Sequence, residues 1–470
     1  MPKSLAVPVI AGILLAGCTV GPNYQRPAIP APASFRAPEA TITTDPASVG
    51  DLKWFEVFKD ERLQELVRTA LEQNYDIRDA VARVDAASAQ LGITRSDQLP
   101  GVGAAADIST VRLSRNGQTP LPVSFVPSQN RTFGGAALDL LSYEVDIWGK
   151  LRRSTEAARA NLLGAEENRK AVMTTLVSEV ASAYFSLREL DYQLEISRRT
   201  LATRKDSLGL IQNRQAGGVA TLLDLRQGEQ LVYTASETIP ALQQQMEQTE
   251  NQISLLLGKN PGEVVRGKSL TEQDMPPDVP AGLPSALLER RPDIRVAEQS
   301  LIAANAEIGV AKAAYFPQIS LSGFLGGQGT QLSSLFAGPS AVWNFTPQVT
   351  QPIYIGGRLK SEVRLSQAQR DSALIQYEKS IQTAFTEVSN ALIAHQRVRE
   401  SRVQQELLVA ALQDRTRLAY VRYRGGVDTL LNALDSDRDL FQAELTLSQI
   451  RLNELNSVVQ LYKALGGGWQ

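Results

Sequence analysis

The side chains whose spacing could support chemistry are few. Asp435 and Asp439 are four residues apart, so they share one face of a helix. On an isolated surface helix this pair is simply solvated, whereas close packing with further carboxylates disfavours full ionisation and attracts cations. The chain contains one histidine, His395, and one cysteine, Cys18. Conventional His/Cys metal clusters, Ser-His-Asp triads and Cys-His pairs therefore cannot be assembled, and the sequence predicts neither an enzyme nor a bound cofactor.

Composition excludes other classes of protein. The formal net charge is −2 over 470 residues, with acidic and basic side chains scattered along the chain. This distribution contains no basic stripe, so nucleic acid is not an expected partner. Aromatic residues make up only 6% of the chain, while alanine, leucine, glutamine, arginine and glutamate are common. Such a composition favours long helices.

The cysteine lies at the end of a short apolar segment near the N-terminus. Lys3 precedes an apolar stretch from Leu5 to Ala16, which is too short to span a bilayer and is typical of a secretory signal. The sequence LAGC ending at Cys18 resembles the lipobox of bacterial lipoproteins. The resemblance implies cleavage before Cys18, covalent lipid on that residue and, with Thr19 next, release to the outer membrane. A plain signal peptide with an incidental cysteine is the alternative.

The chain is an internal duplication. Residues 215–223 (QAGGVATLL) match residues 423–431 (YRGGVDTLL), 208 positions later. The same offset relates residues 149–151 to residues 357–359. A repeat of this length is half of a fold and not the unit of a solenoid.

Each half contains a long helical segment. Apolar residues recur every seven positions from Met173 to Leu208, although Ser197 and Arg204 dilute the second seam of this pattern. A sustained seven-residue period predicts a left-handed supercoil. A helix over residues 150–213 would be roughly 95 Å long, which suits a coiled coil or the wall of a large assembly.

Pairs of glycines interrupt both helical segments and predict helical hairpins. Gly217 and Gly218 end the first long helix, and Gly425 and Gly426 end the second, because glycine accepts positive φ. Return helices are expected over about residues 221–257 and 428–465. Pro240 should kink the first return helix, whereas its counterpart in the repeat is Ser448.

Four segments alternate in polarity and predict strands. The clearest run over about residues 317–327 and 342–355, and weaker ones, rich in glycine and alanine, run over about 100–113 and 131–145. This alternation is typical of membrane barrel strands with a wet interior, although a small soluble sheet is an alternative. Four strands cannot close a barrel, so closure requires further copies: two give eight strands, and three give twelve with room for a conduit. A trimer fits transport better.

The predicted organisation has five parts. They are a signal peptide (1–17), a lipidated extended tail (18–50), a first repeat (51–258) with its hairpin at 150–258 and tip at 213–221, a Pro-rich linker (259–283), and a second repeat (284–470) with its hairpin at 358–465 and tip at 422–430.

This order of elements resembles the outer-membrane efflux lipoproteins of the TolC and OprM family. Four motifs carry the resemblance. They are RYRGGV from Arg422 to Val427 with Leu431, Leu434 and Asp435 beyond it, RRPDI from Arg290 to Ile294, AYFP ending at Pro317, and ALGGGW ending at Trp469. The resemblance implies a mainly α fold with a membrane β-hairpin pair. It further implies a homotrimer with a twelve-stranded β-barrel in outer-membrane lipid, continuous with a long periplasmic helical barrel.

By the same resemblance, the second helical tip is a gate. Asp435 matches the constricting aspartate of the family and Leu431 an apolar plug, while Arg422 and Tyr423 match residues that hold the closed state. If the second hairpin lines the inner wall, three copies of Asp435 and Asp439 bring six carboxylates around one axis, which should filter ions. The resemblance assigns no role to Asp439.

The resemblance also implies partners and a function. The tips at Gly217, Gly218 and Val219 and at Gly425, Gly426 and Val427 are expected to dock a periplasmic adaptor, with helix capping alone as the alternative. The expected function is the passive outer-membrane exit duct of a tripartite small-molecule efflux pump driven by an inner-membrane RND-type pump. A duct for protein secretion and a non-conducting coiled-coil lipoprotein of the envelope are the alternatives.

Overall fold

The fold is seen in a computed structural model of the chain. The structure describes residues 19–30, 32, 34–36, 49–112, 130–273 and 284–469. The predicted signal peptide, Cys18, residues 31, 33 and 37–48 of the predicted tail, and residues 274–283 of the predicted linker lie outside these residues.

Thirteen α-helices and β-strands make up the described fold. In chain order they are α1 (Trp54–Val57), α2 (Glu61–Gln73), α3 (Tyr75–Ser96), β1 (Val102–Arg112), β2 (Asn130–Glu144), α4 (Lys150–Ala216), α5 (Leu222–Leu256), α6 (Leu287–Arg290), α7 (Pro292–Ala313), β3 (Gln318–Gly329), β4 (Ala341–Thr350), α8 (Arg358–Arg424) and α9 (Leu430–Ala464). From α2 in the first half and from α6 in the second, the two halves repeat the same order, and α4 and α8 have 67 residues each. Within the described residues, none of the helices combines the length and apolarity needed to cross a bilayer.

The chain divides into two compact units. The sheet unit comprises Met1–Pro27, Val84–Gly164 and Ala297–Gln376, and the helical unit comprises Ala28–Arg83, Ala165–Val296 and Tyr377–Gln470. Both repeats contribute to each unit, so neither half of the sequence is a unit by itself.

The sheet unit contains one antiparallel sheet in the order β1-β2-β3-β4. The register places apolar side chains on one face and mainly polar ones on the other. For example, Leu138 lies opposite Leu325, which lies opposite Trp343, while Asp139 lies opposite Phe324, which lies opposite Asn344. The apolar face is largely exposed to solvent in the single chain. Among the described strands, β1 and β4 each pair on one side only.

The fourth strand is shorter than the alternation predicted. It ends at Thr350 instead of continuing to about residue 355. Pro352 has no amide hydrogen to donate to a neighbouring strand, and Gly356 and Gly357 both have positive φ in the turn that leads to α8. Ile353, which was expected to continue the strand, is almost fully exposed.

The helical unit is built around one large apolar core. This core joins the N-terminal Trp54 and Phe58 to the middle of α4 at Tyr184 and to the end of α9 at Tyr462. The segment predicted to be a linker contributes to it, because Val264 and Leu270 are buried there. The described part of the linker is therefore packed structure and not only a connection.

Asp60 connects three segments of the helical unit. It is the N-cap of α2 and accepts hydrogen bonds from the Arg62 amide at 2.9 Å and the Tyr184 hydroxyl at 2.9 Å. The Lys268 amide and the Gln273 side chain also donate to it, at 3.0 and 2.9 Å. Burial raises the pKa of Asp60, but these hydrogen bonds outweigh it and the net pKa lies below the usual range.

Candidate functional site

The two helical hairpins of the helical unit reverse through the same turn. At the end of α4, the amide of Gly218 donates to the carbonyl of Gln215 and the amide of Val219 donates to the carbonyl of Arg214, at 3.0 and 2.8 Å. Gly218 has φ +73°. These two bonds and the left-handed glycine define a Schellman motif, which satisfies the last carbonyls of a helix.

The end of α8 repeats this geometry. The amide of Gly426 donates to the Tyr423 carbonyl, the amide of Val427 donates to the Arg422 carbonyl, both at 3.1 Å, and Gly426 has φ +73°. The glycine pairs therefore end the helices as predicted. The left-handed conformation belongs to the second glycine of each pair, since Gly217 and Gly425 do not have positive φ.

The return helices begin differently at the two tips. Thr221 and Asp224 form a reciprocal capping box at the start of α5. At the second tip, Asp428 accepts hydrogen bonds from the Asn432 side chain at 2.7 Å, the Thr429 amide at 2.8 Å and the Arg422 guanidinium at 3.0 Å. These three donors lower the pKa of Asp428. Arg422, which the resemblance matches to a residue that holds the closed state, is paired with Asp428 of its own tip.

Both tips present apolar side chains to solvent. Val219 is 69% exposed and Val427 is 68% exposed. Leu222 and Leu223 at the first tip and Leu431 at the second are exposed as well. Apolar side chains are therefore exposed at the ends of both hairpins.

Asp435 and Asp439 lie on a half-exposed face of α9, as their spacing predicted. Each side chain is 37% exposed. The structure adds two arginines that the sequence analysis did not include. Arg438 contacts Asp435 at 3.2 Å and Asp439 at 3.4 Å, and Arg415 of α8 contacts Asp439 at 3.0 Å. Each chain therefore places compensating positive charge beside its two carboxylates.

Tyr423 has a different environment from Arg422. It is buried in a small apolar cluster at the second tip, and the Arg214 guanidinium lies 4.7 Å from its ring centroid. The other members of this cluster are Ile211, Ala419, Leu430, Ala433 and Leu434. The cluster packs the second hairpin against the end of α4. Leu431, which follows Leu430 in α9, is exposed and lies outside the cluster.

One pair of residues at this site could not be recognised from the sequence. Arg204 of α4, which dilutes the heptad pattern, is buried and forms an ion pair with Asp437 of α9 at 2.6 Å. The two residues are 233 positions apart. The one signal in the sequence was the charge of Arg204 at an apolar position of the heptad pattern. It indicates that an acidic partner exists but does not identify Asp437.

The lone histidine is not part of this site. His395 is buried in the helical unit, and its Nδ1 lies 2.9 Å from the Ser457 hydroxyl. No group of three or more His, Cys, Asp or Glu side chains that could hold a metal ion occurs within the described part of the chain. Cys18 lies outside that part.

The duplicated hairpins, the four-stranded sheet and the paired tips define the class of outer-membrane efflux channels. The family model for outer membrane efflux proteins matches residues 66–259 and 283–467, one match for each repeat. The chain belongs to this family, whose members are located in the outer membrane. Its fold is that of a TolC-like channel, as the resemblance implied.

Individual relatives are similar to this chain over almost its whole length. The chain is 39% identical to the toluene efflux pump outer membrane protein TtgC of Pseudomonas putida, over 100% of this chain and 96% of that protein. It is 36% identical to the outer membrane protein OprJ of Pseudomonas aeruginosa, over 98% and 95%. The open-state MtrE outer membrane channel of Neisseria gonorrhoeae superposes with a TM-score of 0.86 and 31% identity, over 96% of this chain and 99% of that one.

Proposed function

We propose that three copies of this chain form the passive exit duct of a tripartite pump that expels small molecules. The four-stranded sheet carries this proposal. Its two outer strands each have an open edge among the described strands, and an open edge has no hydrogen-bond partners within a bilayer. Its apolar face suits lipid and its polar face suits a water-filled lumen. Three copies supply twelve strands, enough to enclose a conduit.

The gate of this duct is the second helical tip. Asp435 and Asp439 supply carboxylates on one face of α9, and Leu431 supplies an exposed apolar side chain one turn before Asp435. Arg422 and Tyr423 hold the tip together, the first through Asp428 and the second through the buried cluster. Opening is a change in helix packing, favoured by partners that bind the open arrangement more tightly.

The partners are a periplasmic adaptor and an inner-membrane RND-type pump. The adaptor binds the two tips at Gly217, Gly218 and Val219 and at Gly425, Gly426 and Val427. Exposure of both valines and the identical backbone turns support a repeated docking surface. The pump supplies the energy, and the printed name of TtgC, a toluene efflux protein, supports a small-molecule cargo.

Single-channel recording in planar bilayers tests the duct and its gate together. We expect the wild-type protein to conduct ions and Asp435→Ala with Asp439→Ala to raise the conductance. Arg83→Ala, which removes an exposed ion pair with Asp79 on α3, is the control and should leave the currents unchanged. A wild-type protein that inserts without conducting is a spacer and not a duct. Unchanged currents in the double variant would mean that this face of α9 does not form the gate.

We also propose that covalent lipid on Cys18 anchors the chain in addition to its barrel. The LAGC sequence supports this assignment. Radiolabelled palmitate should label the wild-type protein and not Cys18→Ser. The variant should still reach the outer membrane, because several acyl chains and an inserted barrel are independent anchors. Label on the variant would place the lipid elsewhere.

A further inference from the structure

The ion pair between Arg204 and Asp437 joins the two halves of the duplication. The Arg204 Nε lies 2.6 Å from Asp437 Oδ2, and the two side chains are only 2% and 8% exposed. Arg204 Nη1 also donates to the Leu231 carbonyl of α5 at 3.0 Å. Its guanidinium lies 4.9 Å from the centroid of the Phe441 ring on α9. A single residue of α4 therefore contacts both return helices.

This ion pair is a costly way to stabilise a helical interface. Removing two charges from water costs several kcal/mol per ion, and apolar residues of similar volume often replace a buried pair without loss of stability. The cost is not fully offset here, because Arg204 Nη2 is buried without a hydrogen-bond partner among the described residues. The pair is therefore expected to add little net stability, and its directional contact constrains the geometry of the interface.

That geometry concerns the face of α9 that bears the gate carboxylates. Asp437 lies midway between Asp435 and Asp439, and two positions along a helix correspond to a rotation of roughly 200°. Fixing Asp437 against Arg204 therefore turns Asp435 and Asp439 to the opposite side of α9, where both are half-exposed. A small rotation of α9 about its axis would move all three residues together.

A second arginine of α4 contacts the same hairpin nearer its tip. Arg214 lies over the Tyr423 ring of α8, beside the apolar cluster that includes Leu430 and Leu434. The Arg214 contact acts on α8, while α9 meets the cluster through apolar side chains, whose packing is not directional. Within the described residues, Arg204–Asp437 is the one ion pair between α4 and α9 whose two side chains are both buried.

We propose that the Arg204–Asp437 pair sets the rotation of α9 and thereby holds Asp435 and Asp439 in the closed gate. Asp437 and Arg204 are positioning residues, since neither reaches the exposed face of α9. The proposal rests on the proposed gate. It predicts that opening breaks or displaces this pair within each chain, before or together with any change between chains.

Three variants and a control separate the charge from the packing. Asp437→Asn keeps the shape and weakens the pair, while Arg204→Met with Asp437→Leu replaces it by apolar side chains. Asp435→Ala reports on the gate itself. The control is Arg199→Met, which removes an ion pair with Glu444 between the same two helices at 2.7 Å, with the Arg199 side chain 55% exposed. Circular dichroism and thermal unfolding of the full-length protein show which variants retain the fold.

Two measurements report on the proposal. In planar bilayers, Asp437→Asn and the apolar double variant should raise open-state occupancy roughly tenfold, within the usual range of coupling between sites, and Arg199→Met should not. Hydrogen exchange of the amides of residues 430–441 should accelerate in the same two variants. The apolar double variant decides between charge and packing, because its core remains filled.

The possible outcomes are distinct. Wild-type occupancy and wild-type exchange in the apolar double variant would overturn the proposal, because packing alone would then fix α9. If Asp435→Ala raises open-state occupancy and Asp437→Asn does not, the gate assignment stands, but the Arg204–Asp437 pair does not control the gate. If the wild-type protein does not conduct, the proposed duct fails, while exchange that accelerates only in the pair variants still supports the positioning role.

Discussion

The hydroxyl of Ser448 on α9 donates a hydrogen bond to the buried carboxylate of Glu189 on α4, at 3.0 Å. Ser448 is the repeat counterpart of Pro240, so the same position of the duplicated hairpin has two different roles. In the first half it is a proline within a helix that remains continuous, and in the second half it is a donor to the opposite repeat. Duplication supplied the framework, and substitution at equivalent positions made the two hairpins different.

Glu189→Gln should stabilise the helical unit at neutral pH. Burial raises the pKa of Glu189, and hydrogen bonds from Ser448 and Gln193 only partly oppose this. Because the folded-state pKa is raised, the contribution of Glu189 to stability is fully present below the unfolded value of about 4.3 and is lost as pH rises through the folded value. The glutamine variant avoids this loss, so its advantage should be on the order of 1 kcal/mol at pH 7.

Thermal unfolding followed by circular dichroism between pH 4 and pH 8 measures this difference. The melting temperatures of wild type and Glu189→Gln should separate as pH rises. Equal separation at every pH would mean that Glu189 does not titrate in this interval in the folded protein.

Asp60→Asn should destabilise the helical unit at neutral pH. The stability contributed by Asp60 depends on pH in the opposite sense to that of Glu189. The hydrogen bonds that Asp60 accepts lower its pKa, so its stabilising contribution is present above the unfolded value of about 3.9 and is lost as pH falls through the folded value. Losing a helix N-cap and charge-assisted hydrogen bonds should cost about 2 kcal/mol at pH 7. Asp79→Asn, at an exposed ion pair on α3, is the control and should change the melting temperature little.

Gly218→Ala should loosen the first hairpin tip, whereas Gly217→Ala should not. Gly218 has φ +73°, which costs an alanine about 1 kcal/mol, while Gly217 does not have positive φ. Hydrogen exchange of the Val219 amide, which donates to the Arg214 carbonyl, reports on this motif directly. Equal exchange in the two variants would show that the Schellman motif is not maintained in the membrane-inserted protein.

Arg438→Ala should make the conduit more selective for cations. Arg438 contacts both Asp435 and Asp439, so its removal leaves these carboxylates less compensated at the proposed constriction. Reversal potentials in asymmetric KCl measure the selectivity, and the effect should decrease as ionic strength rises. Arg417→Ala, at an exposed ion pair within α8, provides the comparison. An unchanged reversal potential would place Arg438 away from the ion path.

The helices and hairpin tips could be predicted from the spacing of residues along the chain. The contacts between the two repeats could not. The seven-residue spacing and the glycine pairs located α4 and its end to within three residues, because both signals are local. The strands were harder to bound, since Pro352 ends β4 where alternation alone would continue it. From the sequence, Arg204 only interrupts the heptad pattern, because its ion-pair partner Asp437 is 233 positions away.

The electrostatics of the tip show the same limit. Asp435 and Asp439 were recognised from their spacing on one helix face. The compensating contact from Arg415 depends on how α8 and α9 pack, which the sequence of α9 does not contain. Arg438 was available in the sequence, but its position between the two carboxylates depends on its rotamer. Charge at such a site can be counted only after the side chains are placed.

The aromatic contact between Phe58 and Tyr462, with ring centroids 6.0 Å apart, constrains the biogenesis of the protein. One face of this core is synthesised early and the other, up to Leu465, some four hundred residues later. During synthesis, the apolar side chains of the early segment therefore lack their partners from α9 until the end of the chain is made. Exposed apolar side chains favour aggregation during export, and a chain that ends before α9 lacks one side of this core.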